Sequence, residues 1–282
     1  QATGESRAIQ LLKRIFSDED DTSFSRRLAH SNQLLKILEE SRNTVSDSLQ
    51  FRQEQMQLLD ICIYDEGLRR IVEFGKVPSS LRTVLAKIVS GLACYTRLDL
   101  ALSWIFDRLE SWPTAEKSIV EVNKDREWKK WLLRLLKQVL VDSSTDQYTY
   151  RQAQEMSPTI LSGIITFLDT MDSPEYIPTI IDILVFFAEN YQNLFRQRFK
   201  DIIDLLVGWN MDIGLSDTKR ESIISSYSKF GAFWGGYLPF AVSLLRHFLD
   251  DMHAIVRELT IMPIHDTEEY KGRWGVCTNL FE

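Results

Sequence analysis

Cysteine is scarce in this chain. Its three residues, Cys62, Cys94 and Cys277, are far apart and odd in number, with no CxxC spacing, which excludes a disulfide framework and a zinc knuckle and fits a reducing compartment. Glycine and proline are also few, twelve and seven in 282 residues. That is too little turn chemistry for the many short strands of a sandwich or barrel. A basic surplus is missing as well: the formal charge is -7 and the pI about 5.3, which argues against a dedicated nucleic-acid module, since phosphate neutralisation needs a dense cationic surface. No apolar run reaches the roughly 18 residues of a membrane span. The stretch from Phe230 to Leu245 is broken by Gly231, Gly235, Gly236 and Pro239, and the run from Ile177 to Ala188 contains Asp182. No membrane partner is expected. The opening residues, Gln1-Ala2-Thr3-Gly4-Glu5, lack an initiator Met and the layout of a secretory signal, so the chain is expected to be a piece of a larger protein.

What the chain does have is apolar spacing of helical period. Ala8, Leu11, Leu12 and Ile15 form one face; Leu81, Val84, Leu85, Ile88 and Leu92 another; Ile177, Ile180, Ile181, Leu184 and Ala188 a third. Phe195, Phe199, Ile202, Ile203 and Leu206 continue the pattern, as do Ala241, Leu244, Leu245, Phe248 and Met252. Between these faces lie stop and start signals. Phe74-Gly75 reads as a helix end, with Ser79 or Ser80 as the next cap after Pro78. Ser157-Pro158 and Ser173-Pro174 each read as a capping hydroxyl before a Pro at the first helical position. Loops are expected at Ser41 to Ser48 and Asp142 to Asp146, and an exposed acidic turn at Ser17 to Asp21.

These signals predict about eleven or twelve helices of roughly 14 to 20 residues, stacked as antiparallel pairs with a repeat of roughly 40 to 47 residues. The expected fold is an all-α, HEAT-like alpha-solenoid over residues 1–258, with a subdivision near 142–146, followed by an irregular tail over 259–282.

Catalytic signatures are absent. No GxGxxG or GxxxxGK loop can cradle a phosphate. Lys229 stands where the aspartate of a kinase DFG would precede Phe230-Gly231, and there is no HRD-like loop. His247 and His253 are six apart, unlike the i, i+4 pair that shares a metal. Asp250 and Asp251 are neighbours that diverge around a helix. Ser226 and Lys229 form an SxxK without companion motifs. No cofactor and no catalytic or metal-ligating residue is assigned.

One segment suggests binding. From Asn123 to Val141, Lys124, Arg126, Lys129, Lys130, Arg134 and Lys137 interleave with Trp128, Trp131, Leu132, Leu135 and Leu136. Such a helix suits an acidic partner, calmodulin, an anionic lipid surface or RNA, so that a nucleic-acid-binding or generic adaptor alpha-solenoid stands as the alternative function. It equally suits a solvated face of a packed helix, the commoner case.

Residues 201–212, with Val207-Gly208-Trp209 at their centre, resemble a helix-ending segment in the N-terminal HEAT-repeat region of the phosphatidylinositol-3-kinase-related protein kinase (PIKK) of nonsense-mediated mRNA decay. Tyr191, Phe195 and Phe199 upstream, and Phe233-Trp234, Phe240 and Phe248 to Met252 downstream, are similar to that family's aromatic spacing. The resemblance implies a non-catalytic scaffold within a serine/threonine kinase that phosphorylates an upframeshift RNA helicase. Its implied partners are a pair of accessory subunits, one GTPase-like, and the remainder of the kinase chain. The implied location is the cytoplasm, with the nucleus as the alternative. Gly208, Trp209, Phe233, Trp234 and Phe248 would be structural signature residues. Trp209 would close a helix end against the following pair.

Overall fold

The computed structural model of the chain describes residues 6–17, 23–44, 49–74, 76–110, 118–145 and 147–210, together with Ser226 and Lys229. The fold is all-α, and no strand occurs among the described residues. Among the described residues ten α-helices follow one another: α1 (Arg7–Phe16), α2 (Phe24–Thr44), α3 (Leu49–Tyr64), α4 (Gly67–Glu73), α5 (Ser79–Tyr95), α6 (Leu98–Leu109), α7 (Ile119–Ser143), α8 (Gln147–Thr170), α9 (Ile177–Asn190) and α10 (Gln192–Asn210), with a 3-10 turn at Pro174–Tyr176. They pack helix on helix as an alpha-solenoid arrangement requires. The chain divides into two compact units, Gln1–Met156 and Ser157–Glu282.

In the first unit, α1 is capped by Ser6, whose hydroxyl accepts from the Ile9 N–H at 3.3 Å. Its predicted face, Ala8, Leu11, Leu12 and Ile15, is buried, against α2, α3 and α4. The approach to α4 is close: a Cβ on Gly67 would stand 2.5 Å from the Phe16 Cβ, so only glycine fits there. The centre of the unit is α5, which packs on α2, α3, α6 and α7. It buries Leu81, Leu85, Ile88, Val89 and Leu92, each worth about 1.5 to 3 kcal/mol of apolar transfer. In the second unit, α9 packs on α10. It buries Ile177, Ile180, Ile181, Ile183, Leu184, Phe187 and Ala188, more than one stripe, as expected of a helix covered on several sides. Phe195, Phe199, Ile202, Ile203 and Leu206 form the buried face of α10.

Three boundary expectations meet different outcomes. Ser173 is a cap as predicted, accepting from the Glu175 N–H at 3.3 Å with Pro174 in the first turn. Ser79 and Ser80 are not caps: α5 starts at Ser79, with Pro78 before it and no side-chain cap, because the extended backbone that Pro78 already supplies (φ -56°, ψ 139°) sets the helix entry. Ser157-Pro158 starts no helix either, since α8 runs through Pro158 from Gln147 to Thr170. The buried side chains on both sides, Ala153, Ile160, Leu161 and Ile164, hold the helix together through the missing N–H. The loop expected at Ser41 to Ser48 is helical as far as Thr44, and Asp142 and Ser143 still belong to α7. The acidic run at 18–21, residue Gly75 and the helix around Ala241 to Met252 lie outside the described residues.

Candidate functional site: the basic helix and a cationic cleft

Helix α7 begins with a complete capping box. The Ser118 hydroxyl accepts from the Glu121 N–H at 3.3 Å, and the Glu121 carboxylate accepts from the Ser118 N–H at 2.8 Å. Trp128 and Trp131, three apart and therefore on neighbouring positions of one face, stack at 5.3 Å and 15°. Trp104 of α6 meets Trp128 edge-on at 6.0 Å. The Trp131 indole N–H donates to the Arg82 carbonyl at 2.9 Å, which ties α7 to α5. Arg82 answers with an ion pair to Glu127 at 2.7 Å.

This packing separates the six cations of the helix. Lys129 is only 6% exposed and pairs with Asp125 at 3.5 Å, and Asp125 also faces Arg69 at 3.6 Å. Lys130 pairs with Glu127 at 3.2 Å. Lys124 and Arg134 are exposed, while Arg126 and Lys137 are half-buried. Arg126, Lys130, Arg134 and Lys137 follow a helical i, i+4, i+8, i+11 spacing and share one face; Lys124 and Lys129 point elsewhere. Glu127 is held below the usual carboxylate range: burial pushes it up, but hydrogen bonds from Arg82 and Lys130 outweigh that.

A cleft of about 940 Å³ opens in the first unit where α2, α3, α5, α7 and the start of α8 converge. Arg42 of α2 lines it, with its guanidinium 5.6 Å from the Tyr95 ring centroid. It also lies against Gly91, where a Cβ would be 2.7 Å from Arg42 Nη2. The Nε and Nη2 atoms of Arg42 are buried and have no hydrogen-bond acceptor among the described residues. Burial pulls the Arg42 pKa below its ordinary value against the opposing pull of Cys94, Asp142 and Glu39. The Asp142 carboxylate is turned to other donors, the Ser90 hydroxyl at 2.6 Å and the Gln138 amide at 2.8 Å. Arg52 and Lys87, both exposed, line the same cleft.

Cys62 is buried and Cys94 half-buried, and burial pushes both thiols up to about 12, so neither is a nucleophile near neutral pH. Cys277, His247, His253, Asp250 and Asp251 lie outside the described residues. Ser226 is buried, and Lys229 is paired with Asp182 of α9. No cluster of three metal-ligating side chains occurs among the described residues, and no described helix is long and apolar enough to cross a membrane.

Of the signature residues, Gly208 is exposed with open space around it. Trp209 is half-buried, and its indole N–H donates to the Leu168 carbonyl at 2.7 Å. Leu168 is in the last turn of α8, where carbonyls have no intrahelical donor. Trp209 thus closes a helix end, that of the preceding α8. Phe233, Trp234 and Phe248 lie outside the described residues.

No protein-family model matches the chain, and no solved structure matches it. Among curated proteins, the serine/threonine-protein kinase SMG1 of Danio rerio is 28% identical over 257 residues, 91% of this chain and 6% of that protein. The serine/threonine-protein kinase Smg1 of Drosophila melanogaster is 23% identical over 149 residues, 52% of this chain and 4% of that protein. The chain therefore spans a small fraction of the relatives it matches. Over nine-tenths of its own length, it is homologous to a segment of the zebrafish serine/threonine-protein kinase SMG1.

Proposed function

We propose that this chain is a non-catalytic, HEAT-like scaffold segment in the N-terminal region of an SMG1-type kinase acting in nonsense-mediated mRNA decay. The observation that carries the reading is the 91% of the chain that aligns with the zebrafish kinase. The packing of helix on helix, with charged side chains such as Lys124 and Arg134 left exposed, supports it, because stacked helices build extended docking surfaces. On this reading the phosphorylation of an upframeshift helicase is performed by other parts of the parent kinase, in the cytoplasm. This segment docks the accessory subunits, one of them GTPase-like. The contact face we assign is the outer side of α7, with Arg126, Lys130, Arg134 and Lys137.

The test is a pull-down of both accessory subunits by the 282-residue chain. Capture is expected, with loss after Arg126→Glu and Arg134→Glu together. No capture of either subunit by the folded chain overturns the docking role. Capture that is indifferent to the double reversal overturns the α7 face alone.

A further inference from the structure

We propose that the cleft between α2, α3, α5, α7 and the start of α8 binds a phosphate monoester, with the Arg42 guanidinium as its deepest contact and Arg52 and Lys87 at its rim. The unpartnered nitrogens of Arg42 are Nε and Nη2, the two on one edge of the guanidinium. That edge is the one that grips an oxyanion through two parallel hydrogen bonds. A buried cationic edge without acceptors is costly, and no described neighbour hydrogen-bonds it: Asp142 is engaged by Ser90 and Gln138. Neither Arg52 nor Lys87 has a hydrogen bond or ion pair among the described residues, so three cations face the cleft against two carboxylates, Glu39 and Asp142. Three cationic groups can serve the three terminal oxygens of a phosphate monoester, one more oxygen than a carboxylate has. The volume, about 940 Å³, lies in the size class of small-ligand pockets. The guanidinium carbon lies 5.6 Å from the Tyr95 ring centroid, and Gly91 leaves the room in which the group sits.

The phosphate can come from a free organic phosphate or from a phosphorylated side chain of a protein segment, and the experiment separates the two. Inorganic phosphate is titrated into the 282-residue chain at fixed ionic strength, with chloride as the reference, and binding is followed by calorimetry. Saturable binding is expected, weakened about tenfold or more by Arg42→Gln, and also by Arg42→Lys, which keeps the charge and loses the fork. Lys87→Gln changes an exposed side chain outside the core and is expected to weaken binding with an unchanged circular dichroism spectrum. No saturable phosphate binding, or wild-type binding by both Arg42→Gln and Lys87→Gln, overturns the proposal. A phosphoserine peptide that binds more tightly than free phosphoserine, with dependence on Arg42, assigns the ligand to a protein segment. Equal binding with that dependence assigns it to a free phosphate. Equal binding of the unphosphorylated peptide overturns the site.

Discussion

At the scale of single residues, three positions depend on specific close neighbours. Trp209 is one: Trp209→Phe keeps most of the ring packing and removes the indole donor, leaving the Leu168 carbonyl unsatisfied. The expected loss is about 1 kcal/mol in denaturant unfolding, within the range for a single hydrogen bond. A Trp209→Ala change costs more, through lost packing, but less than for a fully buried indole. Gly91 is the second case. Gly91→Ala drives a methyl into Arg42 and is expected to destabilise by about 1 to 3 kcal/mol. In an Arg42→Ala background the same change should cost clearly less, which a double-mutant cycle reads directly. Glu127 is the third. Its carboxyl is held below its ordinary value of 4.5, so its contribution is full above that value and is lost as pH falls through the lower, folded value. Unfolding measured from pH 6 down to pH 3 should lose stability in that acid window. Glu127→Gln should flatten the slope there, and an unchanged slope refutes the assignment.

At the scale of elements, helix faces were legible from spacing because burial of one stripe is a local property of sequence: the predicted sets on α1, α9 and α10 are all buried. Ends were less legible. Ser173 caps as its sequence implies, yet Ser157 does not, because core contacts on both sides of Pro158 outweigh one missing hydrogen bond. The six cations of α7 could not be sorted from sequence, since what buries Lys129 is Asp125 one turn away together with the neighbouring helices. The cleft around Arg42 was not legible at all. It is assembled from helices as distant in sequence as α2 and α8, and nothing in the run of residues before Arg42 announces Gly91 beneath it. The start of α7 offers a clean test of local control: Ser118→Ala removes the capping box at an exposed position and should cost about 0.5 to 2 kcal/mol. No change in thermal unfolding would mean that Glu121 and water suffice there.

At the scale of the molecule, stability within each unit is expected to be uneven. In the first unit α5 and α7 hold the densest set of fully buried side chains, and in the second α9 does. Hydrogen exchange should accordingly be slowest in the amides of those three helices and faster in α1 and α6. Equal protection throughout a unit would contradict this ordering. The short helix α4, seven residues long, is a special case. Its last-turn Val72 carbonyl accepts from Arg82 of α5 at 3.1 Å, and the same guanidinium binds Glu127 of α7. A helix of two turns cannot persist in water by itself, so α4 has to wait for α5 and α7 to find each other. In time, then, the chain is expected not to assemble in the order in which it is written: residues 67–73, although they meet α1 as well, should become protected only together with α7, which pulse-labelled hydrogen exchange during refolding would read.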